Sequence, residues 1–294
     1  MTALEPFGAR LRRSMDLHGP LCVGIDPHAA LLADWGLSDD VDGLERFALT
    51  VVEAVAGRVA AVKPQSAFFE RFGSRGVAVL ERTIAAARAA GTLVLLDVKR
   101  GDIGSTAAAY ADAYLDPASA GFADAITVSP YLGFGSLRPM LDLAAANGAG
   151  VFVLALTSNP EGAQVQRALV ADGSGRTVAA EILQQIAAEN LGADPLGSVG
   201  AVVGATIDPV GIGFDLATLG GPILAPGFGA QGATAEDVRR VFGSALGSVL
   251  AASSRDILRL GPDPSALRAG ASRVADGLRT IVAGAALPQE PSGR

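Results

Sequence analysis

Eight short apolar runs recur along the chain, each closing on polar residues, Gly or Pro: 21–26 (LCVGID), 59–64 (VAAVKP), 92–99 (TLVLLDVK), 125–130 (AITVSP), 150–158 (GVFVLALTS), 199–207 (VGAVVGATI), 222–228 (PILAPGF) and 248–255 (SVLAASSR). Their apolar residues are nearly continuous instead of alternating, the pattern of parallel strands covered on both faces. Between them lie helical segments at 41–57, 76–91, 105–116, 137–148, 177–192, 234–243 and 266–286, several opening on Ser or Thr and closing on Gly. Eight strands alternating with helices predict an α/β fold, a closed (β/α)8 TIM barrel that takes up residues 1–287 as one catalytic domain, with 288–294 as a flexible tail. An open doubly wound sheet is the alternative. The first strand and its loop, LCVGIDPHAALL, carry no G-x-G-x-x-G, so a dinucleotide crevice lacks support.

In such a barrel, reactive side chains belong at the carboxyl rim, where strands end and loops begin. Asp26, Lys63, Asp97, Lys99, Ser129, Ser158 and Arg255 all fall there. Composition then narrows what they act on. Half of the 294 residues are hydrophobic and 18% are charged, a globular balance. No apolar run approaches the roughly 18 residues of a membrane span. The net charge of −7 and the lack of a Lys/Arg run argue against nucleic acid as a partner. They leave room for a small anion held by local amides and an arginine. The amino terminus lacks the apolar core and cleavage site of a secretory signal, and the single cysteine, Cys22, has no internal disulfide partner, so the expected location is the cytoplasm. Two histidines and one cysteine do not make a His-rich metal site, and no metal or cofactor is expected.

Of the 23 basic residues only Lys63 and Lys99 are lysines. An Ala-, Gly- and Arg-rich chain is what a GC-rich genome produces, with surface lysines drifting to arginine. The two that remain mark positions where arginine cannot substitute: an ammonium can give up a proton, and a guanidinium practically cannot. In LLDVKRGDIGST, Asp97 and Lys99 stand two apart on a strand and so share a face, and Asp102 follows three residues later in the loop. One cation flanked by two acids, with Lys63 arriving from the neighbouring strand, predicts an alternating row of charges that fix one another's protonation. The structural alternative is an ion-pair network closing the barrel mouth. Burying charge there costs desolvation energy that an apolar residue would avoid, which favours chemistry.

D-x-K-x-x-D-I followed by G-x-T, at Asp97, Lys99, Asp102, Ile103, Gly104 and Thr106, resembles the signature of the orotidine 5′-phosphate decarboxylase family. GIDP at Asp26, VKPQSAFFE at Lys63, TVSPYLG at Ser129 and APGFGAQGA over 225–233 resemble further blocks of its longer, bacterial-type branch. The resemblance implies a cofactor-independent conversion of orotidine 5′-monophosphate to uridine 5′-monophosphate and CO2, the last step of pyrimidine synthesis, with Lys99 as proton donor and Asp97 beside the departing carboxylate. It implies that Asp26 and Lys63 contact the ribose hydroxyls and that Ser129, where the branch has asparagine, faces the base. Pro226, Gly227, Gly229, Gln231 and Arg255 would hold the phosphate end. It further implies a homodimer in which Asp102 and Thr106 serve the partner's site.

Three other readings compete. A related sugar-phosphate decarboxylase would use magnesium and an acidic residue at the end of the second strand, where Lys63 stands. Schiff-base chemistry at Lys99 needs a neutral amine, which flanking carboxylates oppose. A non-catalytic phosphate-binding barrel would bind without turnover.

Overall fold

Each of the eight apolar runs forms a strand in the computed structural model, which describes residues 5–207, 212–228 and 235–285. The strands are β1 (Leu21–Ile25), β2 (Ala61–Pro64), β3 (Leu93–Arg100), β4 (Ala125–Val128), β5 (Gly150–Leu156), β6 (Val199–Val203), β7 (Ile223–Pro226) and β8 (Val249–Ser253). All neighbours are parallel, and β8 pairs with β1 to close the barrel in chain order. The open doubly wound alternative is thereby excluded. Helices follow at Val41–Val55, Gly73–Ala89, Gly104–Leu115, Arg138–Ala146, Val178–Glu189, Ala235–Phe242 and Pro264–Ala285, one for each helical segment read from the sequence. Thr177 caps its helix by accepting from the Ala180 amide. The helix Gly104–Leu115 instead begins after Ile103 with no side-chain cap, so Ser105 is not the capping residue its position suggested. The tail at 288–294 lies outside the described residues, and among those described no helix is long and apolar enough to cross a membrane.

The two faces of each strand go to different cores, as the two-residue period of a strand requires. Val23, Val62, Leu96, Ile126, Val153, Val203, Ile223 and Ala251 face outward and pack under the helices. Cys22, Ala61, Leu95, Ala125, Phe152, Val202, Leu224 and Leu250 fill the barrel interior. Two residues further along the same inner faces lie Gly24, Lys63, Asp97 and Thr127, so the register that buries the interior core also carries the charged residues to the rim.

The amino-terminal end of the barrel is closed by a helix that the apolar runs did not announce. Phe7–His18 lies across the opening, with Phe7, Leu11 and Met15, four residues apart and on one face, joining the interior core. Phe7 meets Phe152 edge-on at 5.9 Å between ring centroids. Gly150 makes this fit possible, since a methyl group there would lie 2.3 Å from Phe7 Cδ1. Arg10 fixes the helix from outside through Asp124 at 2.6 Å and the Gly148 carbonyl at 2.8 Å, while the same carboxylate accepts the Val94 amide.

The plug yields a testable coupling. Gly150→Ala should destabilise the protein by about 1–3 kcal/mol through overpacking, and most of that penalty should vanish in a Phe7→Ala background, measured by urea unfolding. Equal penalties in both backgrounds would contradict the close fit.

Candidate active site

Asp97 is the centre of the rim. Its carboxylate lies 2.9 Å from Lys63 Nζ through Oδ2 and 2.5 Å from Lys99 Nζ through Oδ1, and it also accepts the Thr127 hydroxyl at 2.8 Å. Lys63 and Asp97 are buried, whereas the Lys99 side chain is 44% exposed and so reaches the open mouth of the barrel. Burial pushes the pKa of Asp97 up, but the ammonium groups of Lys63 and Lys99 outweigh it and bring the carboxyl down to about 2. Lys63 is pushed the other way: desolvation disfavours its charge, yet the carboxylates of Asp97 and Asp26 more than offset this and raise its pKa above the ordinary lysine value. The result is a fixed row, Asp26, Lys63, Asp97, Lys99, alternating in sign.

The backbone at Lys99 departs from the strand geometry assumed in reading the motif. Lys99 has φ +45°, alone among the described non-glycine residues in adopting positive φ, and the β3–β4 register shifts between Leu96 and Arg100. The left-handed conformation disfavours a side chain by about 1–3 kcal/mol, and an irregularity of this kind re-aims a residue at a strand end. Thr127 holds the turn by accepting the Lys99 amide at 2.9 Å while donating to Asp97. Gln65 spans the gap from β2, with Oε1 3.5 Å from Lys99 Nζ and Nε2 3.4 Å from the Asp97 carbonyl. Neither Thr127 nor Gln65 was singled out from the sequence. Thr127 stands two before Ser129 on the inner face of β4, so strand periodicity could have found it.

The remaining rim residues are placed as follows. Asp26 follows β1, with Oδ1 buried and unpartnered. Asp102 does not flank Lys99 within its own chain, correcting the expected pair of acids: Lys99 pairs with Asp97, Asp102 forms no ion pair among the described residues, and its Oδ1 accepts the Ile103 amide. Thr106 is exposed in the first turn of Gly104–Leu115. Ser129 is half-buried after β4 and its amide donates to the Arg100 carbonyl at 2.8 Å. Pro226 ends β7, and Gly227 follows with φ +101°. Arg255 is exposed immediately after β8, with no side-chain partner among the described residues. Gly229 and Gln231 lie outside the described residues. Ser158, after β5, lines a cavity of about 200 Å³ with Thr157, Asn159, Gln166 and Thr206, and none of the charged row borders it. His28 packs edge-on against Phe68, and His18 is half-buried at the end of the Phe7–His18 helix. Among the described residues no group of three or more His, Cys, Asp and Glu is placed to hold a metal ion.

A parallel barrel with buried, mutually fixed charges at its carboxyl rim defines a (β/α)8-barrel enzyme site. The chain belongs to the Orotidine 5'-phosphate decarboxylase / HUMPS family, whose sequence pattern it matches over residues 19–269. It is 67% identical over 281 residues to the orotidine 5'-phosphate decarboxylase of Salinispora arenicola, covering 96% of this chain and 100% of that one. It is 64% identical over 279 residues to the orotidine 5'-phosphate decarboxylase of Streptomyces coelicolor, covering 95% and 99%. A crystal structure from Streptomyces avermitilis assigned to the same decarboxylase superposes with a TM-score of 0.92 at 64% identity, covering 96% of this chain and 98% of that one.

The pH behaviour of Asp97 follows from its partners. The group is ionised in the folded chain where the unfolded chain would protonate it near 3.8, so it contributes about 2 kcal/mol of stability at higher pH that is lost as pH falls through about 2. An NMR titration of the Asp97 carboxyl carbon should show no protonation at pH 3.5. A midpoint at 4 or above contradicts the ion-pair account.

Proposed function

We propose that this chain catalyses the cofactor-independent decarboxylation of orotidine 5′-monophosphate to uridine 5′-monophosphate and CO2. The observation that carries the reading is the Lys63–Asp97–Lys99 row, with the Lys99 ammonium 2.5 Å from a buried carboxylate and directed to the open rim. In the reaction the bond between C6 and the substrate carboxylate breaks, its electron pair stays on C6, and CO2 leaves. The ring spreads that charge poorly, so a cation must meet it as it forms. Lys99 Nζ does so and then passes a proton to C6, completing the product. Its amine recovers a proton from solvent. A guanidinium in its place could attract the charge but not finish the transfer.

Asp97 has two roles in this reading. It keeps Lys99 in place, and it stands near the departing carboxylate. Repulsion of that carboxylate is the smaller contribution: two unit charges 4 Å apart at an effective dielectric of 20 interact by about 4 kcal/mol, whereas enzymes commonly lower barriers by about 8–23 kcal/mol. The larger share belongs to charges already oriented before the substrate arrives, together with ribose and phosphate binding. Asp26 and Lys63 contact the ribose, and Ser129 faces the base. Pro226, Gly227, Gly229, Gln231 and Arg255 hold the phosphate end; the guanidinium of Arg255 beside β8, exposed and without a partner among the described residues, supports that role.

The same reading makes the protein a cytoplasmic homodimer with Asp102 and Thr106 completing the partner's charge row and ribose contacts. Its support is local. Asp102 forms no ion pair among the described residues of its own chain, and the adjoining loops after β3 and β4 expose Ile103 (61%), Leu132 (52%) and Tyr131 (78%). These loops touch each other, since a methyl on Gly101 would lie 2.4 Å from the Ser129 carbonyl oxygen, so the apolar residues and Asp102 belong to one rim segment.

Chelator-treated protein should consume orotidine 5′-monophosphate, followed by its ultraviolet absorbance; binding without turnover would overturn the reading. Lys99→Ala should abolish turnover in a folded protein, and near-normal rates would remove Lys99 as proton donor. Mixing inactive Asp102→Asn and Lys99→Ala dimers should restore part of the activity by subunit exchange. No recovery despite demonstrated exchange would overturn the shared site.

A further inference from the structure

One corner of the rim holds polar groups that the protein itself leaves unsatisfied. Gly24 lies one inner-face step before Asp26 on β1. A methyl group on it would lie 2.8 Å from Ser254 Cβ, 2.9 Å from Asp26 Oδ2 and 3.1 Å from Ser254 Oγ. The missing side chain lets a carboxylate from the β1 end and a hydroxyl from the β8 end approach the same spot. Asp26 Oδ1 and Ser254 Oγ are both buried without a hydrogen-bond partner. Ser254 directly precedes the short helix Arg255–Leu258, but its hydroxyl does not cap it. Buried polar atoms are nearly always paired because leaving them unpaired is destabilising. The carboxylate and the hydroxyl that carry these atoms border the same open position at Gly24, next to a row in which Lys63, Asp97 and Thr127 are all paired, and await a polar group from outside the chain.

We propose that Ser254 and Asp26 together bind one hydroxyl of the substrate ribose, Asp26 accepting its proton in a hydrogen bond and Ser254 Oγ donating to its oxygen. The identity of the ligand rests on the decarboxylase reading. The chemistry selects a hydroxyl over a phosphate oxygen: a carboxylate offers only acceptors and negative charge, which a hydroxyl satisfies and a phosphate repels. Nothing in the family motif at Asp97–Thr106 points to Ser254; it is marked by its own unpartnered hydroxyl, by the unpartnered Oδ1 of Asp26 and by the space that Gly24 leaves between the two residues.

Ser254→Ala separates this role from a structural one. It deletes an orphan hydroxyl, so the ligand-free protein should unfold at the same or a higher temperature. With orotidine 5′-monophosphate, kcat/KM should fall about 3- to 10-fold, mainly through KM. The penalty for removing one of the two ribose hydroxyls, read with 2′-deoxy and 3′-deoxy substrates, should shrink by the same factor. Ser254→Thr, which keeps the hydroxyl, should retain the discrimination. An equal loss for all three substrates would overturn the proposal in favour of a phosphate contact, and a less stable ligand-free protein would overturn it in favour of a structural hydroxyl. Failure of the unsubstituted protein to turn over substrate would instead overturn the decarboxylase reading, and with it the ligand named here.

Discussion

The rim depends on one carboxylate that is made to serve two ammonium groups in a place largely closed to water. Taken alone, Asp97 and Lys63 would each shed charge on burial. Held 2.9 Å apart, each keeps the other ionised, and Lys99 adds a second cation on the opposite oxygen. Removing either buried partner would strand a charge, a loss on the order of 3–5 kcal/mol. The charges are therefore both a structural lock and a preset field. Because their orientation is set by the fold, little reorganisation remains when negative charge develops on a bound ring.

The barrel supplies what this lock requires. Its interior is apolar from the Phe7 plug up through Leu95, Phe152 and Leu250, and it turns polar one strand step later at Lys63, Asp97 and Thr127. A shift of any of these strands by one residue would turn the charged side chains under the helices and the outward valines into the barrel. The same register that excludes water below thus aims the charges above. Where regular strand geometry would not deliver Lys99 to Asp97, the chain leaves it: the left-handed backbone at Lys99 is held by Thr127 and bordered by Gln65.

Much of this arrangement was legible beforehand, for identifiable reasons. Parallel strands covered on both faces are nearly continuous in hydrophobicity, so all eight could be located, and their polar endings pointed to the rim. Lys63 and Lys99 stood out because a chain that uses arginine elsewhere kept lysine twice. The helix Phe7–His18 was missed because its apolar face is only three residues, Phe7, Leu11 and Met15, interrupted by arginines that cover the outside. The backbone of Lys99 was not legible because period-two reasoning assumes an unbroken strand. Gln65 and Ser254 escaped because ordinary polar residues become informative only once their neighbours in space are known. Asp102, three residues from Lys99 in sequence, illustrates the reverse: nearness along the chain did not become an ion pair.

The most direct test follows the proton itself. If the Lys99 ammonium meets a ring anion at C6, the same site must also run the last step backwards, removing the C6 hydrogen of bound product by microscopic reversibility. With 5-fluorouridine 5′-monophosphate, whose fluorine eases formation of that anion, the protein in D2O should exchange the C6 hydrogen for deuterium, followed by NMR, and Lys99→Ala should not. Undiminished exchange by the folded Lys99→Ala protein would contradict the account.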